Sequence, residues 1–234
     1  MVRMKYKLAR QVLSDQVVKT ITRNLRAKKE KILRATTKQM KELAAVSRII
    51  EKEGIPKYLV CKKLSGKLGF GLFLHPCAKP LVKGQVIASY SGEIVIAPQN
   101  VEDDCAYAFE SLSDMKLTKE EQVIYNKKGK YHPGRLYALY IDAVKKGNFT
   151  RFINHSDKPN IEPEILTIPK NPYGLTPTPL EVVYIVKRTI NPGEQLVVSY
   201  DGDDGSYWGV MNIKPFPMTS KTFRLDPSLN LIRS

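Results

Sequence analysis

Two short runs hold most of the residues able to do chemistry. Arg151-Phe152-Ile153-Asn154-His155-Ser156 sets an amide beside an imidazole, and Gly193-Glu194-Gln195-Leu196 leads through Val197-Val198-Ser199 to Tyr200. Upstream, Gly69-Phe70-Gly71 places two glycines around a phenylalanine. Glycines so spaced let a main chain approach a ligand with no Cβ in the way, or else serve as turns between strands. Asn154 and His155 read either as ligand-holding groups or as a buried polar turn satisfied internally. A phenol with a pKa near ~10 suits contact and orientation better than proton removal at neutral pH, so Tyr200 is not read as a general base. Metal chemistry has little to rest on. Cys61, Cys77 and Cys105 show no CxxC or CxC spacing, and Asp201, Asp203 and Asp204 lack the remaining ligands of a calcium loop.

Positioning these runs falls to a β-rich stretch. Tyr58 to Leu64, Gly71 to Leu74, Gln85 to Tyr90, Glu93 to Ile96, Ala106 to Glu110, Leu136 to Ile141, Glu164 to Ile168, Val182 to Lys187 and Gln195 to Ser199 read as strands split by Gly and Pro. Thr118-Lys-Glu-Glu121 is a capping box opening one short helix. Pro169, Pro172, Pro177 and Pro179 mark an extended loop, and Asn191-Pro192-Gly193 a tight turn. Strands this short, with little helix between them, predict a mostly-β fold with α additions and several small sheets.

Residues 1–57 differ from the rest: 16 Lys or Arg against 5 Asp or Glu, a net of +11, while the other 177 residues carry only +4 of the chain's +15. Leu13, Val17, Ile21 and Leu25, then Ile32, Met40, Leu43, Val46 and Ile50, predict about 40 residues of amphipathic helix, straight (~60 Å) or folded into a hairpin. The predicted domains are a basic helical arm at 1–55, a β-rich body at 56–212 and an extension at 213–234 packing on or near the site. The arm's apolar stripe must be covered by its own domain, its other half or a second copy of the chain, and a homodimer is expected. Its basic face reads as a surface for nucleic acid or an acidic partner, or as a solvated helix face. At 42% hydrophobic the chain can form a core, which excludes wholesale disorder. No stretch nears the roughly 18 apolar residues of a membrane span, and the amino terminus lacks the roughly 7–15-residue apolar run of a secretory signal. A soluble protein of a reducing compartment, without a zinc cluster, is expected.

The order and spacing of the motifs resemble the signature of the SET-domain protein-lysine methyltransferases. Gly69-Phe70-Gly71-Leu72-Phe73 precedes Tyr90-Ser91-Gly92-Glu93. Tyr140-Ile141-Asp142-Ala143 and Gly147-Asn148 precede Arg151 to Ser156 and then Pro159-Asn160. Asn191-Pro192-Gly193-Glu194-Gln195-Leu196 closes on Tyr200. Together they span about two-thirds of the chain, residues 58 to 210. The resemblance implies several small sheets with a pseudoknot, in which the Asn-His segment threads under the closing chain. It also implies methyl transfer from S-adenosylmethionine to a neutral lysine amine, with no metal and no covalent intermediate.

Residue by residue, the resemblance assigns Gly69, Phe70, Gly71, Arg151, Phe152, Asn154 and His155 to the cosubstrate, His155 chiefly through its backbone. Trp208, the only tryptophan, would cover the adenine. Tyr200 would contact the transferring methyl and orient the amine, with Tyr90 as a second catalytic-site tyrosine. Tyr137, Tyr140 and Val198 would line the substrate channel; the odd spacing of Tyr137 and Tyr140 puts them on opposite faces of one strand, so only one of them can. Three departures stand out. Asp157 follows the Asn-His-Ser motif where many members have cysteine, Val198 stands where many have an aromatic, and Gly202 replaces a second tyrosine. The resemblance points to small zinc-free SET proteins of bacteria, hence to the bacterial cytoplasm or delivery to a host nucleus. Histones or histone-like basic proteins are the implied substrates. A chromatin- or nucleic-acid-binding protein with a degenerate SET fold, or methylation of a non-histone protein, are the alternatives.

Overall fold

The arm does not form one long helix. The computed structural model describes residues 15–28, 32–64, 69–99, 107–126, 130–167 and 180–200. In it, helix α1 (Asp15–Ala27) is followed by a two-residue strand β1 (Leu33–Arg34) and then helix α2 (Thr37–Glu53). α2 opens on a capping box between Thr36 and Gln39 and closes at Gly54, whose positive φ of 79° lets its N–H reach Ile50 O. β1 pairs in parallel with Leu166-Thr167, so of the two expected forms, straight or folded back, the straight one is excluded by a sheet edge between the helices.

The stripe is covered within the chain. Ile21, Leu43, Val46 and Ile50 are buried in the core that also contains Leu72, Ile87, Val182 and Leu196; Val17, Leu25, Ile32 and Met40 pack against it. The reason for expecting self-association, an uncovered apolar face, is therefore absent for these residues. Polar bonds fix the same docking. Glu42 accepts from Val86 N at 3.0 Å, and Gln39 donates to Glu164 at 3.1 Å.

The strands that follow α2 lie near their expected positions, and the short Asn154–His155 is an addition to them. The largest sheet has the order β1-β9-β10-β4, where β4 is Val86–Ser89, β9 Ile161–Thr167 and β10 Leu180–Val186. Every residue of β10 is buried, Glu181 included, which explains why the run from Val182 to Val186 reads as continuously apolar and not alternating. β2 (Leu59–Lys63) pairs with β3 (Phe70–Leu74), and β5 (Glu93–Pro98) and β6 (Ala108–Met115) flank β7 (Tyr137–Asp142). The last sheet joins β8 (Asn154–His155) in parallel to β11 (Val197–Val198). Among the described residues the fold is mostly strands in several small sheets with three α-helices.

The predicted capping box opens α3 (Lys119–Tyr125) at Thr118. α1 docks here. Thr20 and Arg23 both bond the Glu121 carboxylate, Asn24 accepts from Lys116 N at 2.7 Å, and Arg23 reaches Lys116 O at 3.0 Å. Burial alone would raise the Glu121 pKa, but the bonds from Arg23, Thr20 and the Thr118 amide outweigh it and hold the carboxyl below its usual range.

Candidate active site

The site is built where the closing chain meets the Asn-His segment. Val197 and Val198 lie beside Asn154 and His155, and Ser156 N donates to Val198 O at 2.9 Å. Asn160 completes the seam: its side chain donates to Gln195 O and accepts from Val197 N, at 2.8 and 2.9 Å. This pairing of β8 with β11, far apart in the chain, brings Tyr200 beside the Asn-His segment, past its His155 end.

Tyr200 is held at two points. Its backbone N–H donates to His155 Nδ1 at 3.0 Å, and its hydroxyl donates to Ile153 O at 2.8 Å. Because Nδ1 accepts, the neutral imidazole carries its proton on Nε2, which faces Asp157 Oδ1 at 3.1 Å. The two rings lie 5.6 Å apart. The resemblance implies a backbone role for His155; its imidazole has a task of its own, positioning the tyrosine. Asp157, at the departure from the family pattern, is the residue that faces the other side of that imidazole.

On the cosubstrate side, Asn154 donates to Phe70 O at 2.9 Å, tying the Asn-His segment to β3. Gly69 adopts φ of +66°, and among the described residues no atom lies within 4 Å of where its Cβ would stand. Gly71 is different. A Cβ there would meet Gln195 Nε2 at 2.7 Å, so this glycine also makes room for the buried Gln195 amide. Phe70 and Phe152 pack with centroids 5.5 Å apart, and the Arg151 guanidinium lies 4.8 Å from the Phe152 ring while bonding Ala143 O at 3.0 Å. Arg151 thus ties the end of β7 to the turn Phe149–Phe152.

Tyr90 lines the same region from below. Buried, it donates to Tyr107 O at 2.6 Å and packs on Phe109 and edge-on against Tyr184. Burial first, then the neighbouring Tyr200 and Asp142, push its phenol far above the ordinary range. A phenol raised so far stays protonated at neutral pH. The position of Tyr90 depends on two glycines, since a Cβ on Gly92 would come within 2.4 Å of Asp142 O and one on Gly147 within 2.8 Å of Ser91 O. Asn148 reinforces this corner by donating to Ser89 O at 2.7 Å and accepting from Thr150 N.

Tyr137 has to be taken out of the channel. It is fully buried, and its hydroxyl bonds Gln122 and Asn126 of α3 at 3.1 and 3.2 Å. Tyr140, on the opposite face of β7, is partly exposed and interacts with Glu110. Val198 is buried opposite His155. Trp208, Asp201, Gly202, Asp203, Asp204, Cys105, the proline-rich loop and the 213–234 extension lie outside the described residues. Gln195, Asn148 and Asn160 carry structural roles that sequence reasoning misses. All three stand within the motifs, but nothing in a linear motif tells which way an amide points.

The SET domain family matches residues 69–201. The chain belongs to the SET-domain family. SET domain-containing protein 4 of Saccharomyces cerevisiae is 28% identical over 155 residues, covering 64% of this chain and 24% of that protein, so the chain spans about a quarter of that relative's length. Crystal structures of ATXR5 share the fold. One, in complex with histone H3.1 mono-methylated on R26, aligns with a TM-score of 0.53 at 16% identity over 76% of this chain and 73% of that one. A second, of the ATXR5 SET domain with histone H3 di-methylated on R26, gives 0.52 at 17%, with the same coverage. SET proteins are generally protein-lysine methyltransferases that use S-adenosylmethionine, and the SET match contains the Asn154–His155 pair and Tyr200.

Proposed function

We propose that this SET protein is an S-adenosylmethionine-dependent protein-lysine N-methyltransferase acting on a basic protein. The observation that carries the reading is the double anchorage of Tyr200, by His155 at its amide and Ile153 at its hydroxyl. A phenol that donates its proton to a carbonyl keeps its oxygen as an acceptor. That oxygen can take weak C–H···O contacts and align an incoming amine, without leaving its protonated form.

The residues fit the cosubstrate. Gly69 offers an open flank, Asn154 stands partly exposed beside the Phe70 carbonyl, and the Phe70–Phe152 pair supplies an apolar surface. Phe70, Arg151, Phe152, Asn154 and the His155 backbone would hold S-adenosylmethionine, with Trp208 over the adenine. When bound, that cosubstrate supplies an electrophilic methyl on a positively charged sulfur. The chain's own work is to exclude water and deliver a neutral amine. A free lysine near pKa ~10.4 is almost wholly charged, and apolar walls such as Tyr90 and Val198 favour its neutral form.

A histone or histone-like substrate is supported by the ATXR5 complexes with histone H3. Residence in a bacterial cytoplasm, or delivery to a host nucleus, belongs to the same proposal and rests on the resemblance to zinc-free bacterial SET proteins. The site is tested by Tyr200→Phe, which removes one heavy atom and leaves the ring. Calorimetry should give an unchanged affinity for S-adenosylmethionine while kcat falls ~10²-fold, the mark of an interaction realised mainly in the transition state. Equal turnover by the variant would remove Tyr200 from the chemistry.

A further inference from the structure

α1 has two faces of different character. Thr20, Ile21 and Asn24 are buried against the body. On the solvent side Val18, Lys19, Thr22, Arg23 and Arg26 line an open cleft. Arg23 is committed to Glu121, whereas exposed Lys19 and Arg26 make no ion pair among the described residues. Lys19, Arg23 and Arg26 recur at helical spacing of four and three, an arrangement in which like charges repel and weaken an isolated helix. Acidic residues stand four positions before Lys19 (Asp15) and four after Arg26 (Glu30). Even so, the arm, residues 1–55, carries a net +10. Of its five acids, Glu42 is already bonded to the Val86 amide and faces Lys38.

If the reading above is right and the substrate is a basic protein, this face repels it. The face needs an anion, and the anion that accompanies basic chromatin-like proteins is nucleic acid. The arm has a single aromatic residue, Tyr6, so it offers no platform for stacking unpaired bases. Point-charge and fork donors such as Lys19 and Arg26 suit phosphate oxygens; the Thr22 hydroxyl between them already donates to Val18 O at 2.7 Å. From Lys19 to Arg26 the helix rises ~10 Å, about three phosphates' rise along one strand of a duplex.

We infer that the outer face of α1 binds the phosphate backbone of duplex DNA, holding the enzyme on the same nucleoprotein as its protein substrate. Binding is independent of base sequence and steeply dependent on salt. Tethering raises the local concentration of the substrate tail and leaves the active site itself unaltered.

Fluorescence anisotropy with the full chain and a labelled duplex of about 30 base pairs, across ~50 to 200 mM salt, tests this. The parent should bind, and Lys19→Gln/Arg26→Gln should flatten the log–log salt slope by about 1.8, or ~0.9 for each phosphate no longer neutralised. The doubly substituted protein should keep its circular dichroism and methylate a free basic peptide at the parent rate, but lose its advantage on the same protein bound to DNA. No duplex binding at ~50 mM salt, an unchanged slope in the variant, or equal affinity for poly-glutamate would each overturn the inference. Peptide methylation is read without DNA, so failure of the tether and failure of the enzymatic reading are separately visible.

Discussion

At the residue scale, Asn154 and His155 are neighbours with separable tasks. Asn154 reaches outward to Phe70 O, on the side of Gly69. His155 turns inward and holds the amide of Tyr200. Asn154→Ala should therefore weaken S-adenosylmethionine binding by about 1–3 kcal/mol, the cost of stranding a polar partner. His155→Ala should act mainly on kcat, by roughly tenfold, because the tyrosine loses its backbone anchor. Calorimetry and steady-state kinetics on both variants check the division; a His155 variant that alters only affinity would contradict it. The chemistry-bearing residues are legible in the sequence because glycine, asparagine, histidine and tyrosine sit in a recognisable order. The use of the imidazole is not, because it depends on a hydrogen bond across 45 positions that no local pattern encodes. Gly71 shows the same limit. The motif marks it as a ligand-facing glycine and says nothing of the Gln195 amide packed against it.

At the element scale, α1 and α3 are joined through one carboxylate. Glu121 is buried, and Arg23 and Thr20 both bond it. Its pKa is lowered in the fold, so the stabilisation is present above the ordinary carboxylate range and is lost as pH falls through the folded value. The melting temperature should hold from neutral pH to about 5 and fall below about 4. Glu121→Gln should start lower and flatten that acid limb; coincident acid profiles for the two proteins would contradict the account. The capping box at Thr118 is readable because it is a four-residue pattern. β1 and β8 are not, since two residues carry no periodicity and their pairing is decided by β9 and β11.

At the scale of the whole molecule, the shift in composition near Gly54 marks a change of element type and not the end of the core. Ile21, Leu43, Val46 and Ile50 share one core with the strands. Each such side chain is worth about 2–5 kcal/mol when cut back to alanine, against a total stability of about 5–15 kcal/mol. A chain starting at Pro56 should therefore fail to melt cooperatively, and a sharp transition near the parent's would show the arm dispensable. The central claim is that this assembly moves a methyl group to a lysine. The most direct measurement is incubation of the full chain with methyl-labelled S-adenosylmethionine and a panel of histones and bacterial DNA-compacting proteins, followed by mass-spectrometric mapping of the modified residue, with Tyr200→Phe in parallel. The account predicts label on lysine side chains of a basic protein, reduced ~10²-fold in the variant. Cosubstrate binding with no transfer to any protein, or equal labelling by parent and variant, would contradict it.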